Sequence, residues 1–241
     1  MFKSTVSAFA LASFAFCAHA ADADNIRENL EKNIPGMEVG AITKIPFGDL
    51  YQVVGNGYTV FYTDKTGETA LFGNLVDLKN KQNLTQAETE KLRVVDFSSL
   101  PLDKAIKRVR GNGKRRLALF TDPDCPFCRQ LEKELEGVND ITIYTFLLPL
   151  TSLHPDSKRK AEQIWCAKDS AKTWDDWMLK KTALPDGEPS CATPIEDIAT
   201  LAKKLWINGT PALVFGNDKL VPGGINRKQI ESNLAEAASK K

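Results

Sequence analysis

No run in this 241-residue sequence stays apolar for long enough to cross a bilayer. Histidine is scarce, with 2 residues, His19 and His154. An excess of one charge is missing as well, since 32 basic residues face 31 acidic ones. That balance argues against an electrostatic nucleic-acid partner. Internal repeats and low-complexity tracts are absent. Cysteine is sparse too, with 5 in the whole chain, and what matters is where they stand.

Cys125-Pro126-Phe127-Cys128 follows an apolar run, Leu117–Thr121, and precedes a helical pattern marked by Leu131 and Leu135. A strand that feeds a helix through C-x-x-C is the arrangement of a thiol–disulfide exchange centre. Cys125 then falls at the helix N-terminus, where unpaired N–H groups and the helix dipole favour an anion. Pro126 suits the first helical position, which needs no N–H. The thiolate is the nucleophile, so this placement makes Cys125 the candidate attacking thiol, with a pKa expected in the range of about 3.5–7. Cys128, one turn inside, is expected to be the less exposed, resolving thiol. A zinc site would need four ligands, and only His154 remains outside the leader described next. Cys166 and Cys191 do not form a second C-x-x-C. The expectation is redox chemistry with no metal and no cofactor.

Residues 1–20 read as a secretory leader. Lys3 supplies the positive start, Val6 to Phe16 the apolar stretch, and Ala18-His19-Ala20 a small-x-small cleavage site. Phe16 is bulky where a lipid anchor on Cys17 would want a small residue. Loss of the leader removes Lys3, bringing both signs of charge to 31, and leaves Cys125, Cys128, Cys166 and Cys191. An even count in an exported chain suggests two pairs, with three connectivities open.

Residues 21–80 show one amphipathic piece, Ile26, Leu30 and Ile34. Short β-like runs follow at 39–45, 50–54, 58–62 and 69–75, separated by turns such as Gly55-Asn-Gly57 and Asp64-Lys-Thr-Gly67. So small a core would gain from a partner subunit. Residues 81–101 read as a polar linker helix, with Thr85 and Glu88 forming a capping box. Leu102–Val109 reads as a second helix. The basic cluster Lys104, Lys107, Arg108, Arg110, Lys114, Arg115 and Arg116 reads as a solvated helix face and loop, the alternative being a docking surface for an acidic partner. From Arg116 strand and helix alternate: strands at 117–121, 141–148, 212–215 and 219–221, and helices at 126–135, 156–168, 171–181 and 227–238. Thr193-Pro-Ile-Glu196 opens a further helix to Leu205. The order is that of a thioredoxin-like α/β domain over 102–241 with a helical insertion. Asp122 and Asp124 read as turn and capping residues, and His154 as a surface histidine. Phe127 and Leu213 are candidates for a surface that meets unfolded chains.

Phe120-Thr-Asp122 leading to the C-x-x-C, Ile164-Trp-Cys-Ala-Lys-Asp169, Asn208-Gly-Thr-Pro-Ala212 and Leu220-Val-Pro-Gly223 together carry a resemblance along nearly the whole chain. They resemble the DsbC/DsbG family of periplasmic thiol:disulfide interchange proteins, and the DsbC branch more closely. One departure is Pro126-Phe127, where DsbC proteins usually carry Gly-Tyr and DsbG types Pro-Tyr. The resemblance implies an α+β N-terminal dimerisation domain, a linker helix and a thioredoxin-like catalytic domain, assembled as a homodimer. It implies a cis-proline loop at Thr210-Pro211 that pairs with substrate, and a structural Cys166–Cys191 disulfide in the insertion. It also implies misfolded exported proteins as substrates and a DsbD-like membrane reductase as partner. The function expected is periplasmic isomerisation of wrong disulfides. A DsbG-like reductase of oxidised single cysteines and a holdase chaperone are the alternatives.

Overall fold

The computed structural model describes residues 14–184, 189 and 191–239. It divides into two compact units, Met1–Leu92 and Arg93–Lys241. Residues 1–13 of the expected leader lie outside the described residues, and residues 14–20 begin the first helix.

In the first unit, helix α1 (Phe14–Asn33) precedes strands β1 (Val39–Lys44), β2 (Tyr51–Gly55), β3 (Thr59–Thr63) and β4 (Ala70–Leu71), which pair in sequence order as an antiparallel sheet. Ile26 and Leu30, one helical turn apart, pack with Val39, Tyr51, Val53 and Phe61 to form the core. The β2–β3 turn uses Asn56 and Gly57 at positive φ, as a tight hairpin requires. Asp64 caps the next turn by accepting from the Thr66 and Gly67 N–H groups. Gly67 is obligatory there, because a Cβ would sit 2.9 Å from the Ile26 backbone. The run expected at 69–75 shortens to β4. Beyond it lie a two-residue ladder, β5 (Val76–Asp77) with β6 (Gln82–Asn83), and helix α2 (Leu84–Leu92).

Two expectations for this region change. Thr85 is inside α2 rather than capping it: its hydroxyl bonds to Tyr62 and accepts from the Leu75 N–H. Asn83 takes the capping role by accepting from the Gln86 N–H. The linker helix expected over 81–101 is an α-helix only at 84–92: residues 82–83 form β6 in the first unit, and residues 93–101 belong to the second. There Val94 bridges Lys219, the Val95 N–H donates to the Asp218 carbonyl, and Phe97 and Leu100 are buried. Edge pairing with a segment far along the chain outweighs the local polarity that suggested helix.

The second unit is built on strands β7 (Ile106–Arg110), β8 (Arg115–Thr121), β9 (Ile141–Leu147), β10 (Ala212–Phe215) and β11 (Leu220–Pro222), in spatial order β11-β10-β8-β9-β7. Only β8 and β9 are parallel. Parallel neighbours need a crossover, which helix α3 (Pro126–Glu136) supplies. Leu117–Thr121 is buried at every position, as a central strand covered on both faces must be. Helices α4 (Ser157–Cys166), α5 (Ser170–Lys180) and α6 (Ile195–Lys204) form the insertion, and α7 (Arg227–Ser239) follows β11. Leu131 and Leu135 of α3 and Ile230 and Leu234 of α7 pack on Leu117, Leu119, Leu213 and Phe215. A second cluster joins Cys125 and Cys128 to Ile106, Leu147, Trp174 and Met178.

The helix expected at 102–109 is a single 3-10 turn, Leu102–Lys104, followed by strand β7. Ile106 and Arg108 face inward while Lys107 and Val109 face solvent, so the true period is two. A buried arginine disguised that alternation. The basic cluster is therefore no solvated helix face. Arg108 is buried, Arg110 donates to the Leu135 carbonyl, Arg115 pairs with Glu231, and Arg116 lies 4.8 Å over the Phe97 ring. At α6 the cap is Pro194, with no side-chain capping bond, rather than Thr193.

Candidate active site

β8 ends at Thr121, and the turn Asp122-Pro-Asp124 delivers the chain to α3. Cys125 is the N-cap, with extended backbone (φ −70°, ψ 121°), and Pro126 opens the helix. The Cys128 N–H points at the Cys125 sulfur at 3.4 Å. β10 runs antiparallel to β8 with Ala212 opposite Phe120. That register brings the residues before Ala212 beside those after Thr121. The Thr210–Pro211 peptide is cis, and the Thr210 carbonyl lies 3.5 Å from the Cys125 sulfur. Pro211 in turn accepts from the Gly223 N–H.

Both thiols are free and buried, and their environments push them apart. The hydrogen bond from the Cys128 thiol lowers Cys125 to about 6, helped by the N–H groups of Cys128 and Phe127 and opposed by burial. Burial, reinforced by the Cys125 sulfur, pushes Cys128 far above the usual thiol range. One site thus holds a thiolate and a protonated thiol at neutral pH, the division that nucleophilic exchange requires.

Cys166 and Cys191 are bonded to each other, closing a loop of 25 residues between the end of α4 and the approach to α6. Chain-entropy reasoning gives such a link about 3–4 kcal/mol. Phe127 stands 69% exposed beside the two thiols, but Leu213 is in the core, because all of β10 is buried. Among the described residues, no group of three His, Cys, Asp or Glu side chains is gathered as metal ligands would be.

Several polar neighbours escape a reading by spacing. Asp122 holds the turn as expected, its carboxylate accepting from the Asp124 N–H at 2.7 Å, but it is also fully buried and accepts from the distant Leu150 N–H at 2.6 Å. His154 is no plain surface histidine, since its Nδ1 lies 3.1 Å from the same carboxylate. Asp124 pairs with Lys160 at 2.7 Å, so its charge is answered within the insertion. The Trp177 indole N–H donates to the Pro123 carbonyl at 2.7 Å. Beneath the helix, Arg108 forms a two-pronged pair with Glu132 at 2.7 and 2.8 Å, and Trp174 donates to the same carboxylate. Apart from the Asp122–Asp124 bond, these contacts join residues tens of positions apart, with no local motif to announce them.

A family model described as a thioredoxin-like domain matches residues 102–238, and one described as the disulfide bond isomerase protein N-terminal domain matches residues 17–86. The probable thiol:disulfide interchange protein DsbC of Bordetella parapertussis is 39% identical over 212 residues, covering 88% of this chain and 74% of that one. DsbC of Escherichia coli is 29% identical over 228 residues, covering 94% and 92%. The crystal structure of a disulfide interchange protein from Neisseria gonorrhoeae is 46% identical with a TM-score of 0.55, covering 57% of this chain and 98% of that one. Its extent is about that of the second unit. With a thiol pair of opposed acidity at the head of α3 and these matches over both parts of the sequence, the chain belongs to the DsbC family of thiol:disulfide interchange proteins.

Proposed function

We propose that the protein isomerises wrong disulfides in exported proteins, with Cys125 as nucleophile, Cys128 as resolving thiol, and Thr210 and Pro211 as the backbone against which substrate lies. The observation that carries this reading is a pair of free thiols one helical turn apart, with the Cys125 sulfur at the N-cap of α3 facing the Cys128 N–H at 3.4 Å. The Cys125 thiolate attacks one sulfur of a substrate disulfide. The S–S bond breaks, its electron pair leaves with the other substrate sulfur, and a mixed disulfide forms. If another substrate thiolate attacks that bond, Cys125 is released as thiolate and the substrate has changed its pairing with no net electron transfer. If Cys128 attacks instead, losing its proton as it does so, the site is oxidised and the substrate gains two electrons. The second route needs an external reductant, and a DsbD-like membrane reductase fits that need. The test is recovery of native pairing in a scrambled multi-disulfide protein, by a catalytic amount of the reduced protein. Native pairing without accumulation of reduced substrate is expected. Net reduction alone would make the protein a reductase, and suppression of aggregation alone a holdase.

The periplasm is the proposed location. The interchange family supports it, as does the expected leader. No helix among the described residues is long and apolar enough to cross a membrane. A homodimer through the first unit is proposed with it. That unit leaves Leu71, Phe72 and Leu78 57%, 59% and 84% exposed, and apolar side chains so placed suit a second copy. Light scattering should give a dimer for the whole chain and a folded monomer for a fragment starting at Arg93. A fragment starting at Leu102 should be less stable, because it discards the buried Val95, Phe97 and Leu100. A full-length monomer at micromolar concentration would contradict the dimer.

The low Cys125 value has a consequence for stability. Its thiolate forms from about pH 6 when folded, against about 8.5 for an ordinary thiol. The reduced protein therefore gains stability as pH rises through that interval and loses it again on acidification towards 6. Cys128 stays protonated when folded, so the ionisation of its unfolded thiol subtracts only about 0.2 kcal/mol by pH 8. Between pH 6 and 8 the reduced form should gain about 2 kcal/mol relative to the oxidised form. Urea midpoints of the two forms at both pH values measure this. A gap that stays constant with pH would contradict the assignment.

A further inference from the structure

We propose that His154 is a positioning residue of the exchange centre, acting through Asp122 on the turn that carries Cys125. The proposal rests on Cys125 being the attacking thiol. Asp122 touches every part of that turn. Its carbonyl accepts from the Cys125 N–H at 3.2 Å, its carboxylate accepts from the Asp124 N–H, and its own N–H is directed at the Cys128 sulfur. The same carboxylate reaches across to the segment after β9, where it accepts from the Leu150 N–H. The Leu148 N–H donates to the Thr121 carbonyl at 2.7 Å beside it. A carboxylate at 0% side-chain exposure demands donors. Two of its donors are main-chain groups, and His154 Nδ1 is the side-chain partner. A carboxylate can only accept, so the imidazole must present Nδ1–H.

His154 itself is well placed to hold this geometry. Its backbone N–H donates to the Leu150 carbonyl and its carbonyl accepts from the Ser157 N–H, which anchors it at the start of α4. The ring is 23% exposed while Asp122 is sealed. His154 thus closes the carboxylate off from solvent and fixes which way its oxygens point. Those oxygens set the turn, and the turn sets the Cys128 and Phe127 N–H groups that hold the Cys125 thiolate. Removing the Nδ1 donor while keeping the ring should loosen that alignment. Restoring an N–H at the same place should restore it, and an asparagine amide nitrogen stands about where Nδ1 does.

The test uses the full chain with both active-site cysteines, comparing the native protein with His154→Phe and His154→Asn. Alkylation of each cysteine is followed against pH by peptide mass, and melting temperature is recorded in parallel. The Phe variant should raise the Cys125 midpoint by about half a unit or more, slowing alkylation at pH 6 by about twofold or more. The Asn variant should stay close to native. A residue that only stabilised the fold would lower the melting temperature and leave the midpoint alone. If the Phe variant does not fold, His154→Ala is read in the same way. A midpoint unchanged in the Phe or Ala variant would overturn the proposal, and so would an Asn variant that fails to restore it. Preferential alkylation of Cys128 in native protein would instead overturn the assignment of the attacking thiol.

Discussion

Cys125→Ser should bring disulfide exchange down to the uncatalysed rate, because a serine hydroxyl supplies no nucleophile at neutral pH in place of a thiol lowered to about 6. Cys128→Ser should behave differently. It keeps the attacking sulfur and loses the thiol that clears a stalled intermediate, so mixed disulfides should accumulate. Isomerisation should survive only where the substrate supplies its own resolving cysteine. Non-reducing gels and the mass of trapped adducts distinguish the variants. Equal exchange by Cys125→Ser and native protein would remove Cys125 from the mechanism. Chaperone activity that persists in the double variant while exchange vanishes would show that binding unfolded chains is separable from redox chemistry.

The second large effect concerns the charge network under α3. Arg108 and Glu132 have side-chain exposures of 4% and 0%. The arginine holds Glu132 with two hydrogen bonds, reaches Asp175 at 2.8 Å, and contacts Thr145. Arg108→Ala would leave Glu132 buried without its counter-charge, which costs about 3–5 kcal/mol. That is a large part of the stability of an ordinary domain. Replacing both partners, as in Arg108→Met with Glu132→Leu, should recover most of the loss, since neither charge is then stranded. Urea unfolding of the oxidised proteins measures both. Trp174, bonded to Glu132, gives a fluorescence signal from inside the network. A loss below about 1 kcal/mol for Arg108→Ala would mean that water or a neighbour compensates the carboxylate.

What could be read in advance was what depends on neighbours in sequence. Cys125 and Cys128 were legible because an apolar strand, a proline at the first helical position and the Leu131/Leu135 spacing all lie within a few residues of them. The α1 face was legible for the same reason, through Ile26 and Leu30. Strand β7 was not, because Arg108 is inward-facing only by virtue of Glu132 and Asp175, 24 and 67 residues away. A buried arginine reads locally as a solvent residue. Asp122 and His154 stand 32 residues apart, so nothing local separated a sealed carboxylate from an ordinary turn aspartate. The start of the second unit at Arg93 was hidden too, because it is set by edge pairing with residues 218–220.

In the proposed mechanism Cys125, at the head of α3, is the ionised, attacking thiol, and Cys128 stays protonated in reserve. The most direct test of that mechanism is the rate of alkylation against pH in Cys128→Ser, which retains only Cys125 at the site, and in Cys125→Ser, which retains only Cys128. The lone Cys125 should titrate well below the ordinary thiol value and react faster at neutral pH, while the lone Cys128 should titrate above it and react slowly. A lone Cys128 that titrates lower and reacts faster than the lone Cys125 would contradict the mechanism.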